Sequence, residues 1–279
     1  MAGFNALLWY NVGAYPRFIL FRSESPVDGR GKETLERDLN SCTTTSPRPG
    51  ETRATRTGET ANARAYLRLK HAVLSGAFRP GEVVTLRGLS QLLGCGETPV
   101  REAVKRLSSE GAFEGLPNRS ARTPLLDRRE IDQILDLRIT LESQAAALAA
   151  QNITLHQIEK LRALHLAMGT AVEVDDSRRY GELNMAFHFD IYRIADNKTL
   201  ATLIEALWLR MAPFVSRKRS LIPSDPTQAW QVACGHHEAL LTALQRRDAE
   251  AARLAMREDL SALGKIDGYW EGIEDGANS

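Results

Sequence analysis

Cysteine is scarce in this chain: Cys42, Cys95 and Cys234 are the only three in 279 residues, and no two form a C-x-x-C pair. An odd, scattered set builds neither a disulfide framework nor a structural zinc knuckle, and it suits a reducing cytoplasm. Aromatic residues are few, at 6%, while Leu, Ala, Arg and Glu recur, so intrinsic propensity favours helices over sheets. Long apolar runs are missing too. The opening "MAGFNALLWYNVGAYPRFILF" is interrupted by Asn5, Asn11, Pro16 and Arg17 and has no basic start, so it reads as a poor signal peptide and as too short and too polar for a membrane span. Enzyme motifs are equally thin. There is no nucleophile elbow or phosphate loop, and "HHEALL" (236–241) puts Leu241 where H-E-x-x-H needs its second histidine.

What is present is enough apolar material, 43% of residues, for a sizeable core in one large domain or two ordinary ones. The net charge of +1 hides an asymmetry. Residues 61–125 carry ten basic against five acidic side chains, whereas 126–279 carry eighteen against twenty-three. A basic module joined to an acidic one suggests a polyanion-binding part and a separate regulatory or assembly part. Residues 1–60 are nearly balanced in charge, and from residue 23 they are rich in Ser, Thr, Gly and Pro with almost no apolar period. They read as a disordered extension.

Helical periodicity begins near Ala61, with Gly76 placed to stop the first helix. "RPGEVV" (79–84) is a Pro-Gly turn into a short extended piece, and "TLRGLSQLLG" (85–94) reads as a second helix capped by Thr85 and ended by Gly94. In "ETPVREAVKRLSSEG", Thr98 before Pro99 suits a helix start, and Val100, Ala103, Val104 and Leu107 form the inward stripe. "AFEGL", "PNRS" and "ARTPL" follow as a hairpin. Three helices and a hairpin over 61–126 describe a winged helix-turn-helix. From 127 the pattern is helical throughout, over about 128–151, 155–172, 176–195, 197–219, 225–246 and 248–268, with capping signals at Asp127/Glu130 and Thr154. The fold class is therefore mainly α: a winged helix followed by an all-helical antiparallel bundle over 127–268 and a short tail, 269–279.

On "SGAFRPGE" (75–82), "LLG" (92–94), "TPVREAVKRLSSEG" (98–111) and "PNRSAR" (117–122), residues 64–131 resemble the winged helix of the GntR family of bacterial transcription regulators. On "LDLRITLES" (135–143), "ELNMAFHFDIYRIADN" (182–197) and "GHHEALLTALQRRDAEAA" (235–252), the remainder resembles the ligand-sensing FCD domain of the FadR-like branch. The resemblance implies a dimeric repressor or activator of a double-stranded, palindromic operator, whose affinity responds to a small carboxylic acid. The rival readings are a dimeric DNA-binding protein blind to effectors and a helical metal hydrolase using His188, His237 and Asp259.

In such a module the third helix enters the major groove. Arg101 is the first candidate for base reading, through two donors to a guanine's O6 and N7; its competing role is an i,i+4 ion pair with Glu97. Family members usually carry Ser-Arg or Thr-Arg where this chain has Gly96-Glu97. Glu97 is repelled by phosphate but can accept from cytosine N4, so it alters the preferred site. Thr98 can donate to a phosphate or only cap the helix. Asn118 and Arg119 at the wing tip reach the minor groove or backbone, or are solvated turn residues, and Arg87 and Arg68 are candidates for phosphate contact.

In the bundle, Asn184 and His188 lie four residues apart and share a helix face. The resemblance groups them with His237 and Asp259 where the family has Asp-His-His-His around a divalent metal. The two exchanges leave two imidazoles and one carboxylate, a set competent for zinc, manganese, nickel or iron, or else a buried polar cluster without metal. Arg138 matches a family arginine that faces the cavity and can clamp an effector's carboxylate; an ion pair with Glu142 is the alternative. Leu135, Leu141, Leu207 and Trp208 are candidates for a homodimer interface or for core.

Overall fold

The computed structural model describes residues 60–117, 120–220 and 226–262, with 215–220 and 226–234 as backbone alone. Cys42, Cys234 and the wing-tip pair Asn118 and Arg119 therefore lie outside the described side chains. The winged helix comprises α1 (Ala61–Leu74), β1 (Val83–Thr85), α2 (Leu86–Leu93), α3 (Glu97–Ser109), β2 (Glu114–Leu116) and β3 (Ser120–Arg122). The hairpin is part of a three-stranded antiparallel sheet in the order β1-β3-β2, with Val84 opposite Ala121 and Gly115 opposite Ala121 on the other side. The extended piece after the Pro-Gly turn is thus the third strand of the wing. Arg122 and Glu114 pair across it at 2.5 Å.

Capping fixes the helix boundaries. The Thr85 hydroxyl accepts from Gly88 N at 3.1 Å, and Gly94 closes α2 with φ of 60°. One expectation fails: Thr98 is not the cap of α3. The helix starts two residues earlier, at Glu97, with Gly96 as its N-cap and no side chain bonding there. Pro99 is tolerated because the first four amides of a helix have no intrahelical partner.

The bundle is built from α4 (Arg128–Asn152), α5 (Leu155–Glu173), α6 (Ser177–Ile194), α7 (Lys198–Ser220), α8 (Pro226–Gln245) and α9 (Ala249–Ser261). The expected extension of the last helix to 268 runs beyond the described residues. Complete capping boxes open α4, from Asp127 and Glu130, and α5, from Thr154 and Gln157. Three later corners share one device, a left-handed residue followed by a side chain near the next helix start. Asp175, Asp196 and Arg247 have φ of 54°, 52° and 55°. Asp176, Asn197 and Asp248 then accept from the backbone amides of Arg179, Leu200 and Ala251. These turns are short enough that consecutive helices pack directly: α5 on α6, α8 on α9, with α4 against α6, α7 and α9.

A single apolar core runs from the winged helix into the bundle, and a smaller one, Leu126, Ile131, Ile134, Met211 and Phe214, joins the start of α4 to α7. Of the candidate interface residues, Trp208 and Leu135 are buried within this core, while Leu141 and Leu207 are half-buried. No helix among the described residues is long and apolar enough to cross a membrane.

The left-handed Gly94 gives a clean test of this geometry, because a Cβ there would meet nothing within 4 Å. Gly94→Ala should cost only the backbone penalty of about 1–2 kcal/mol, seen as a lower urea midpoint with an unchanged slope.

Candidate DNA-reading surface and buried metal centre

On α3 the buried stripe Val100, Ala103, Val104 and Leu107 faces the interior, where α3 packs on α1. Glu97, Thr98, Arg101 and Lys105 are left exposed at the N-terminal half of the helix, the part that meets base edges in this motif. The alternative role of Arg101 is not taken up: no ion pair joins it to Glu97 among the described residues. Arg87 is also exposed, in the first turn of α2. Arg68 has an internal task, since its Nη1 donates to the Leu93 carbonyl at 2.9 Å and closes the end of α2. Arg106, at the far end of α3, lies 3.7 Å over the Tyr66 ring and bonds Glu110 at 3.1 Å, which turns it away from the reading face.

That far end is where the winged helix is fastened to the bundle. Tyr66 donates to both oxygens of Glu110 at 2.9 Å, Lys70 donates to the Tyr66 hydroxyl at 3.1 Å, and Lys70 reaches Glu205 of α7 at 2.5 Å. Nearby, a Cβ placed on Gly111 would come within 3.2 Å of Arg210, also on α7. Burial alone would depress the Lys70 ammonium, but its bonds to Glu205 and Tyr66 outweigh this and hold its pKa above the ordinary lysine value.

A second polar centre lies inside the bundle. His188 on α6, His237 on α8 and Asp259 on α9 are all buried, and one ligand atom from each lies within 4.8 Å of the others. The Asp259 oxygens stand 3.4 Å from His188 Nε2 and 3.6 Å from His237 Nε2. An ion bonded at about 2.0–2.1 Å in tetrahedral geometry sets ligand atoms about 3.3 Å apart, so these two spacings fit a metal. The donor set fits as well, being two neutral nitrogens and one anionic oxygen. Asn184 lies one turn before His188 and is half-buried. Phe187 stacks on the His237 ring at 4.5 Å, and His165 of α5 stands edge-on to it at 6.0 Å. Burial lowers the pKa of His165, Glu238 opposing the effect, which favours the neutral ring. His236 is half-buried and outside the cluster.

Arg138 takes the alternative that its spacing left open. Its guanidinium, 1% exposed, holds Glu142, 0% exposed, with Nε to Oε1 at 2.6 Å and Nη2 to Oε2 at 3.4 Å. Trp208 of α7 donates its indole N–H to Glu142 Oε1 at 3.0 Å and lies 4.5 Å under the guanidinium. Tyr192 of α6 donates its hydroxyl to Glu142 Oε2 and stands 3.3 Å from His188 Nδ1. Burial, reinforced by the neighbouring Glu142 charge, pushes the Tyr192 hydroxyl pKa well above its ordinary value. Sequence reasoning had Glu142 only as a partner for Arg138 and missed Tyr192, His165, Lys70 and Glu205. The i,i+4 spacing of His188 and Tyr192 was the one available signal.

Comparison with known proteins identifies both parts of the chain. Residues 61–122 match the model for bacterial regulatory proteins of the gntR family, and residues 133–262 match the FCD domain. The chain is 33% identical over 190 residues to the HTH-type transcriptional regulator McbR of Escherichia coli K12, spanning 68% of this chain and 85% of that protein. It is 28% identical over 210 residues to a D-xylose utilization operon repressor of Paenarthrobacter nicotinovorans, 75% of this chain and 89% of that one. The solved structure of E. coli McbR/YncC superposes with a TM-score of 0.68 at 30% identity, covering 74% of this chain and 96% of that one.

The Lys70–Glu205 bridge sets a measurable expectation. Glu205→Ala removes the nearest carboxylate from a largely buried ammonium and leaves it Tyr66 and Glu110, so stability should fall by roughly 1.5–3 kcal/mol, the range for hydrogen bonds to charged groups. Because the folded pKa of Lys70 is raised, this contribution is full at and below neutral pH and fades as pH rises past the ordinary lysine value of 10.5. Thermal melts of both proteins between pH 7 and 11 should therefore converge at the alkaline end.

Proposed function

The chain belongs to the GntR family of bacterial regulatory proteins and carries an FCD domain, and from that premise we propose a dimeric regulator whose operator affinity is set by occupancy of the bundle. It is a DNA-binding transcription regulator and not an enzyme. The observation that carries the reading is the exposed N-terminal face of α3, with Arg101 free of an ion pair to Glu97 while the opposite face is anchored in the core. Arg101 reads a guanine, Thr98 and Arg87 contact phosphates, and Asn118 and Arg119 follow the adjacent groove or backbone. Arg68, held at Leu93, contributes little there. Glu97 selects for a base that offers a donor, such as cytosine, and lowers affinity for DNA in general.

Two copies occupy two half-sites of a palindromic operator only when their winged helices stand at the matching distance. The apolar faces of α4 and α7 supply the dimer contact: Leu137 and Leu203 are exposed, and Leu141 and Leu207 lie one turn further along. His188, His237 and Asp259 hold a divalent metal, with Asn184 as a weaker neutral oxygen donor nearby. A small organic acid is the effector class implied by Arg138 and a metal together. Glu142 takes the Nε–Nη2 edge of the guanidinium, so such an acid meets the Nη1 edge or binds the metal alone. The same observation favours the second reading, a regulator blind to effectors, and thermal shift with organic acids on the metal-loaded protein separates the two.

The direct test is fluorescence anisotropy on the duplex upstream of the protein's own gene and on a scrambled duplex, across a salt series. Arg101→Ala should weaken the native duplex by roughly 5- to 150-fold, the equivalent of about 1–3 kcal/mol for a bidentate base contact, while the scrambled duplex changes far less. Equal losses on both duplexes would reduce Arg101 to a phosphate contact.

A further inference from the structure

We propose that Tyr192 is the positioning residue of the metal centre: gripped by Glu142, it fixes the hydrogen of the His188 ring on Nδ1 and aims Nε2 at the ion. The inference rests on the metal reading of His188, His237 and Asp259 given above.

Glu142 has no exposed surface. Its neighbours include the Arg138 guanidinium and the Trp208 indole, groups that can only donate, at 2.6 and 3.0 Å from Oε1. Glu142 is therefore an acceptor, and its second oxygen accepts the Tyr192 hydroxyl. A phenol has one hydrogen to give. With that hydrogen committed to Glu142, the Tyr192 oxygen can only accept from His188 Nδ1, 3.3 Å away, so the ring hydrogen sits on Nδ1.

The other nitrogen then carries its lone pair toward Asp259 Oδ2 at 3.4 Å. Two acceptors facing each other in a buried site repel unless a cation stands between them. Either a metal or a second ring proton can fill that role, and a metal needs the nitrogen in the state that Tyr192 enforces. Outer-shell partners of this kind set ring orientation and ligand basicity, and removing one typically weakens metal binding by about 10- to 100-fold. The chain places the device on one face of α6, His188 and Tyr192 being one turn apart. Their shared anchor Glu142 ties that face to α4, and through Trp208 to α7.

The test uses the full chain stripped of metal and titrated with Zn2+ by calorimetry against a competing chelator, as wild type, Tyr192→Phe and His188→Ala. Tyr192→Phe should bind Zn2+ about 10- to 100-fold more weakly with its helix content retained, its metal-free melting temperature falling because Glu142 loses a donor, and His188→Ala should lose binding. Ring-nitrogen NMR of the zinc-loaded wild type needs no substitution, so it decides the matter even if Tyr192→Phe misfolds. His188 should show a hydrogen on Nδ1 and the metal on Nε2. Equal Zn2+ affinity in wild type and Tyr192→Phe, or metal on Nδ1, overturns the role of Tyr192 and leaves the metal centre standing. A wild type that binds no Zn2+ overturns both.

Discussion

One buried carboxylate organises the bundle. Removing an ion such as Glu142 from water costs several kcal/mol even after relaxation, and the cost is offset only by well-aligned donors. Those donors come from three helices: Arg138 of α4 itself, Tyr192 of α6 and Trp208 of α7. Their packing is thereby specified in register as well as in proximity, because a one-residue slip of α6 or α7 would carry the hydroxyl or the indole away from the charge. A purely apolar seam would tolerate such a slip far better. The cluster thus contributes less net stability than its short distances suggest and more discrimination among alternative packings.

The same logic governs the other end of α7. Glu205, one turn before Trp208, meets Lys70 of α1, and Lys70 is joined through Tyr66 to Glu110, the residue that caps α3. The DNA reader is therefore fastened at the back of its recognition helix, on the side away from Arg101. Contact with DNA at the front and contact with the bundle at the back use different residues of one short helix.

Much of this was legible from local rules. Helix boundaries followed from residues that bond within three positions of themselves, such as Asp127 with Glu130 and Thr154 with Gln157, and the end of α2 followed from Gly94. The start of α3 was misread because Thr98-Pro99 is a strong local signal; the chain uses Gly96 instead, a cap with no side chain to announce it. The short extended piece was read, but its pairing with the hairpin escaped because Val83–Thr85 is three residues long and meets residues nearly forty positions away, beyond any periodicity. The Arg138–Glu142 pair was open in the sequence only as the i,i+4 alternative to an arginine facing the cavity. Their burial is decided by α6 and α7, which no window around 138 contains. His188, His237 and Asp259 came from the family resemblance and do meet, whereas the tyrosine and the carboxylate behind them carry no motif.

The departures from the family's ligand pattern make sense in terms of charge. With Asn at 184 and Asp at 259, the donor set keeps one negative charge, but the carboxylate now comes from α9 and faces both imidazoles instead of sharing a helix with one of them. An ion held there would bind α6, α8 and α9 together, and Glu142 already binds α4, α6 and α7. The two buried clusters meet on α6, at His188 and Tyr192. A cation at Nε2 strengthens the acidity of the hydrogen on Nδ1 and hence its bond to the tyrosine oxygen, so loading one cluster tightens the other. Since that second cluster includes Trp208, an ion there would bear on α7, the helix that meets the winged helix at Lys70 and Glu205.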